Sequence, residues 1–143
     1  MNPLNIEAEE GNPKIILDDE KQIFLFEGES RPHHAYNFFQ PVIKWLEEYG
    51  KILFWQKEHF GKNRRMTVQF KLSYFNSTSA KFIGDILLLL DSFCKDGYEV
   101  RVKWFYEKED IDMKESAEEY MKMMKQLPIN LVLTDEAGGD LAS

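Results

Sequence analysis

Cysteine and histidine are nearly absent from this chain: its 143 residues carry one cysteine, Cys94, and three histidines. A single thiol closes no internal disulfide and cannot be the core of a zinc site, so a reducing compartment is the expected setting. Basic side chains are also scarce, 18 against 25 acidic ones, for a formal charge of −7. A nucleic-acid binder needs a basic surface to displace counterions from phosphates, and this balance argues against that class. Long apolar runs are missing too. The longest, residues 86–90, is far too short to cross a bilayer, so no membrane insertion is expected. The first ten residues, MNPLNIEAEE, are acidic and polar where a secretory leader needs a basic start and an apolar stretch. The expected location is cytoplasmic. No glycine-rich phosphate loop, nucleophile elbow or H-E-x-x-H motif occurs, and no cofactor or metal is expected.

What remains fits one folded domain, with 43% hydrophobic and 30% charged residues. Residues 1–13 mix acids, asparagines and prolines without a hydrophobic period, which predicts a loose lead-in. The domain is expected over 14–133, and the small, acidic, glycine-containing 134–143 reads as a flexible tail. Residues 15–17 and 22–26 flank a polar turn and predict two short strands. Ala35, Phe38, Phe39, Val42, Ile43 and Leu46 then form one helical stripe, with Pro41 inside it predicting a kink or a restart. Residues 50–63, with Phe54, Trp55 and Phe60, read either as an extension of that helix or as a packed excursion. Met66, Val68, Phe70, Leu72 and Tyr74 alternate with polar residues, a strand with one buried face. Ile83, Ile86, Leu87, Leu90, Phe93 and Cys94 make a second helical stripe, stopped by Asp96-Gly97. Residues 99–106 alternate again. Asp112 is expected to cap a third helix with Ala117, Tyr120, Met121 and Met124 inward, and 129–133 close the chain as a strand. The order β-β-α-β-α-β-α-β predicts an α/β (α+β) fold, a mixed sheet with helices packed mainly on one face.

Few residues invite chemistry. His33-His34 are adjacent, and neighbours on a helix point roughly 100° apart, so they read as a solvated helix start rather than a metal site. Cys94 falls on a buried stripe and reads as a small core residue. The junction Asn76-Ser77-Thr78-Ser79 differs, because a strand ends there and a strongly amphipathic helix begins. The first backbone N–H groups of a helix have no intrahelical partner, and the dipole leaves partial positive charge there. A hydroxyl at that position caps the helix; a phosphate on it would be held by the same N–H groups. One cap is enough, worth about 1 kcal/mol. Three successive hydroxyls exceed that need, and both readings stay open at this point.

The stretch Tyr74-Phe75-Asn76-Ser77-Thr78-Ser79-Ala80-Lys81 closely resembles the Y-F-N-T-S-S-A-K signature of the SiaC family of bacterial regulatory phosphoproteins. Residues 35–49, Pro41 included, resemble the first helix of that family, and 100–106, with Trp104 and Tyr106, resemble its following strand. The resemblance implies a STAS-like fold similar to anti-anti-sigma factors, and partner switching in bacterial signal transduction rather than catalysis. In such a cycle a Ser/Thr kinase phosphorylates a hydroxyl at the strand–helix junction and a PP2C-type phosphatase removes the phosphate. The unmodified form binds and activates a diguanylate cyclase, raising cyclic di-GMP and favouring biofilm growth. The family has Thr then Ser where this chain has Ser77 then Thr78, so an ungapped transfer puts the phosphoacceptor on Ser77, with Thr78 next. Tyr74, Phe75, Asn76, Ser79 and Lys81 are then the expected partner-binding residues. Residues 50–65 form a longer helix-to-strand connection than is typical of the family. The alternative is a STAS-like protein-binding module without phosphoregulation, in which the hydroxyls only cap a helix.

Overall fold

Period-two runs of apolar residues pair, in chain order, into one sheet: β1 (Leu4–Ile6), β2 (Lys14–Asp18), β3 (Ile23–Ser30), β4 (Arg65–Phe75), β5 (Glu99–Glu107) and β6 (Ile129–Thr134). A computed structural model describes residues 1–61 and 65–134 of the chain. β1, β2 and β3 pair antiparallel, whereas β3 to β6 run parallel. Parallel neighbours need crossovers, supplied by α1 (Ala35–Phe60), α2 (Ser77–Lys95) and α3 (Ile111–Met123). Crossovers of one hand, stepping in one direction across the sheet, place all three helices on the same face. The expected mixed sheet with helices on one face is therefore the architecture observed, and it is compatible with a STAS-like fold.

The covered face carries the core. Phe24 and Phe26 of β3, Met66, Val68, Phe70 and Leu72 of β4, and Val100, Val102 and Trp104 of β5 are all buried. Their neighbours on the other face, Thr67, Gln69 and Lys71, stay partly solvated. Aromatic rings bridge the strands: Phe26 stacks on Phe70 at 4.7 Å, Phe70 on Trp104 at 5.3 Å, and Trp104 meets Tyr120 of α3 at 5.7 Å. Each such side chain contributes about 1.5–3 kcal/mol on burial. α1 and α2 approach closely because position 50 is glycine. A Cβ there would lie 2.6 Å from Cε1 of Phe93, so a residue that costs about 1 kcal/mol in helix propensity is what lets the two helices close.

Four expectations are corrected. The lead-in over 1–13 is not wholly loose, since Leu4–Ile6 pairs with β2 and Trp45 Nε1 donates to the Asn2 carbonyl at 2.8 Å. Residues 35–60 form a single helix that contains Pro41 and extends through Phe54, Trp55 and Phe60, with Gly61 closing it in the left-handed conformation. The third helix is capped by Asp110 rather than Asp112, its carboxylate accepting the Met113 N–H at 3.0 Å. Tyr74 leaves the buried face of its strand, for a reason given below. The expected tail lies outside the described residues, except Thr134, which ends β6.

Asp91 ties α2 to the chain entering β6. Its Oδ1 accepts the backbone N–H of Gln126 and of Leu127, both at 2.8 Å, and Lys95 Nζ lies 3.7 Å from Oδ2. Burial alone would raise this carboxyl, but those N–H groups and the Lys95 ammonium hold it below the ordinary aspartate value. A depressed folded-state pKa means that the stabilisation is present above the unfolded-state value and is lost as pH falls through the folded-state one. Asp91→Asn should thus lower unfolding free energy at pH 7 by about 1–2 kcal/mol. Denaturant titrations should show the gap to wild type narrowing as the pH drops below about 4; a gap that stays constant would exclude this role.

Candidate functional site

The site forms where β4 hands over to α2. In parallel strand–helix–strand units the helices run back against the strands, so α1, α2 and α3 all start at the sheet end where β3, β4 and β5 finish. A register shift shapes this end. Gly28, at φ +106°, pairs with Leu72, but the next residue, Glu29, pairs with Tyr74, so Ser73 is the extra residue of a β-bulge. The extra residue reverses the alternation. Tyr74 goes to the uncovered face and is 51% exposed, while Phe75 turns inward and meets Trp104 edge-on at 6.0 Å.

Asn76 caps the helix, its Oδ1 accepting the Ser79 N–H at 2.9 Å. The three hydroxyls that follow divide sharply. Ser77 and Thr78 are exposed, whereas Ser79 is fully buried. Ser79 Oγ lies 3.1 Å from the Ser30 carbonyl oxygen and 2.8 Å from Ser30 Oγ. The single Ser79 hydroxyl proton goes to the carbonyl, so Ser30 Oγ donates to Ser79 Oγ and the pair is satisfied without water. The Asn76 N–H also donates to the Ser30 carbonyl, at 3.0 Å. Ser79 therefore anchors the helix start and, being buried, cannot be the partner-binding residue that was expected.

The other expected positions fall around the two free-standing hydroxyl groups. Lys81 is exposed, pairs with Asp85 at 3.3 Å and lies over the Phe82 ring at 4.7 Å. Phe75 is half-buried, so Tyr74 is the aromatic of the pair that is offered to solvent. Among the described residues of the first turn of α2 there is no acid, which leaves the positive end of the dipole without a carboxylate. From below, Tyr120 of α3 donates its hydroxyl to the Ala80 carbonyl at 2.6 Å. Burial pushes its phenol up to about 12, so it remains a donor throughout the physiological range.

Three further residues shape this end and were not singled out in the sequence. Ser30 comes from a different strand, 49 positions from Ser79, and no local pattern announces it. Tyr36, 61% exposed, packs its edge on Phe82 at 6.4 Å, and Ile111, 64% exposed, opens α3 at the same end of the sheet. A large apolar side chain at the first turn of a helix, off its buried stripe, was the available signal for both. His33 and His34 are exposed, as read. Cys94 is half-buried, its Sγ 3.4 Å from the Val100 carbonyl, and burial raises its thiol pKa. Among the described residues no cluster of His, Cys, Asp and Glu could hold a metal ion, and no helix is long and apolar enough to cross a membrane. On the uncovered sheet face a cleft of about 390 Å³ sets Lys71 among Glu27, Glu107 and Asp110, a lining that favours no single ligand charge.

Fold and surface together define a class: a small α/β protein whose exposed hydroxyls and apolar side chains gather on one helix start. The sequence profile of the SiaC family of regulatory phosphoproteins matches residues 6–134, and the chain belongs to that family. Its fold superposes on apo-SiaC from Pseudomonas aeruginosa with a TM-score of 0.78, at 27% identity over 92% of this chain and 98% of that one. A second structure, of the P. aeruginosa diguanylate cyclase SiaD in complex with its activator SiaC, matches with the same TM-score at 26% identity, over 92% of this chain and 99% of that one. An uncharacterized protein of P. aeruginosa is 28% identical over 120 residues, 84% of this chain and 88% of that protein.

The burial contrast at the junction yields a measurable difference. Ser79→Ala leaves the Ser30 hydroxyl and carbonyl short of a buried partner and should cost about 1–3 kcal/mol. Asn76→Ala should cost about 1 kcal/mol through loss of the cap. Ser77→Ala should leave the thermal midpoint within a degree or two. Calorimetry on the three variants checks this ranking, and equal midpoints for Ser77→Ala and Ser79→Ala would refute it.

Proposed function

We propose that this chain is a non-enzymatic phospho-switch adaptor whose unphosphorylated form binds and activates a diguanylate cyclase, thereby raising cyclic di-GMP and favouring biofilm growth. A Ser/Thr kinase places a phosphate on Ser77, or on Thr78 beside it, and this blocks binding; a PP2C-type phosphatase restores it. The observation that carries this reading is the division of labour at the start of α2. Asn76 and Ser79 already cap and anchor the helix, so Ser77 and Thr78 are not needed for either task and stand exposed to a modifying enzyme. That also weighs against the capping-only alternative. Membership in a family of regulatory phosphoproteins, and the complex of P. aeruginosa SiaC with the cyclase that it activates, support the choice of partner.

The physics of the switch follows from where the charge would land. A phosphate adds roughly −1.5 to −2 charges at neutral pH. The first turn of α2 carries no acid, so the N–H groups and dipole receive that charge at a gain of about 0.3–1 kcal/mol. The fold thus tolerates the modification, and the cost falls on the partner. A surface that packs over Tyr74 and Tyr36 in the unmodified state must then desolvate or repel a dianion. Losing about 3 kcal/mol of binding weakens the complex more than a hundredfold.

Two measurements test this. Ser77→Ala/Thr78→Ala should bind the cyclase as wild type does, and Ser77→Asp/Thr78→Asp should lose binding by calorimetry while unfolding no earlier than wild type. Intact mass after incubation with the cognate kinase and ATP should rise by one phosphate in wild type and stay unchanged in the alanine variant. Wild-type binding by both variants, or no phosphate uptake by wild type, would remove the switch and leave the plain binding module.

A further inference from the structure

We propose that the end of α1 is a self-association surface through which two copies of this chain pair. Leu53 is the last buried residue of the helix. The turns beyond it expose Phe54 by 59%, Trp55 by 50% and Phe60 by 62%. These side chains form one patch: Trp55 lies 5.3 Å from Phe60, edge to face, and stacks on His59 at 4.6 Å. α1 and α2 start at the same end of the sheet, so the patch sits at the opposite pole from Ser77 and Thr78, where Lys57 reaches the Asp96 carbonyl at the end of α2. The proposal does not depend on the phospho-switch reading.

Charge selects the occupant. The chain as a whole carries −7, so two copies repel over most of their surfaces. Around the patch the charges are locally compensated. Lys51 pairs with Glu48 at 3.2 Å and Arg65 with Glu99 at 2.9 Å, while Lys57 bonds to a carbonyl and Glu58 lies beside it in sequence. A strongly basic or acidic partner would find no complementary field here, whereas a second, equally neutral and aromatic tip would meet no repulsion. Area sets the strength. A Phe or Trp offers roughly 150–250 Å², so the observed exposures leave roughly 350 Å² of aromatic surface per copy. Twice that, with the flanking helix surface, reaches only the lower end of the roughly 1,200–2,000 Å² that stable interfaces bury, which fits a weak, concentration-dependent dimer.

Sedimentation velocity on the full chain over a concentration series should show a monomer–dimer equilibrium. Phe54→Gln/Phe60→Gln should weaken it by about tenfold or more, with an unchanged thermal midpoint. Trp55 supplies an independent readout, because Trp45 and Trp104 are only 7% and 0% exposed. Acrylamide quenching of tryptophan fluorescence should fall as concentration rises in wild type. A monomer throughout the series, or a variant that pairs as wild type does, overturns the proposal. So does Trp55 shielding that requires added phosphatidylglycerol vesicles, an outcome that would assign the patch to a lipid surface instead.

Discussion

The carbonyl oxygen of Ser30 accepts two hydrogen bonds, from the Asn76 N–H at 3.0 Å and from the Ser79 hydroxyl at 3.1 Å, and the start of α2 is fixed through it. Strand pairing alone would place β4 beside β3 but would leave the first turn of the next helix free to fray. By binding the residue before that turn and a residue within it, the end of β3 converts a strand–helix corner into a rigid platform. The hydroxyl pair Ser30–Ser79 makes the arrangement exclusive, since each buried oxygen satisfies the other and no solvent is required. Rigidity here is what gives two exposed side chains, Ser77 and Thr78, a defined position and direction.

The platform is supported from the core as well as from the sheet edge. The ring series Phe26, Phe70 and Trp104 crosses the three central strands and ends on Tyr120, whose hydroxyl reaches the Ala80 carbonyl in the first turn of α2. Trp104 is itself held by its Nε1–H donating to the Met113 carbonyl at 3.2 Å. Packing energy from the aromatic core is therefore connected to the helix start through two hydrogen bonds. A phosphate at that start would act on a platform already held from two sides, so its charge would be read by a partner rather than absorbed by local unfolding.

The sequence showed the elements because their causes are local. Period-two runs marked β4 and β5, helical stripes marked α1 and α2, and capping residues marked where α2 begins. What it hid is non-local or sub-periodic. Three residues, Leu4–Ile6, are too few to display a period, yet they complete the sheet edge. The bulge at Ser73 depends on how β4 registers against Gly28 and Glu29, so alternation carried one residue too far put Tyr74 in the core. The run of hydroxyls at 77–79 looked uniform, and only the approach of Ser30 from another strand sorts Ser79 from its neighbours. The caps were misjudged for a related reason: Asp110 and Asp112 both suit a helix start, and the side chain whose oxygen reaches an unpaired N–H is decided by the exit angle of β5.

That sorting bears on how a switch can operate on an acidic chain. With a formal charge of −7, two more negative charges alter the whole-molecule field only modestly, and exposed charges separated by more than roughly 8 Å are largely screened at physiological ionic strength. A change confined to one helix turn has effect only if the neighbouring surface is otherwise apolar and makes close contact. Tyr36, Tyr74 and Ile111 provide such a surface at the same end of the sheet, without a carboxylate in the intervening first turn. Contact there excludes water, and the exclusion of water is what makes a local charge expensive to bury. The apolar side chains that would favour binding in one state are thus the reason that a single charged group could abolish it in the other.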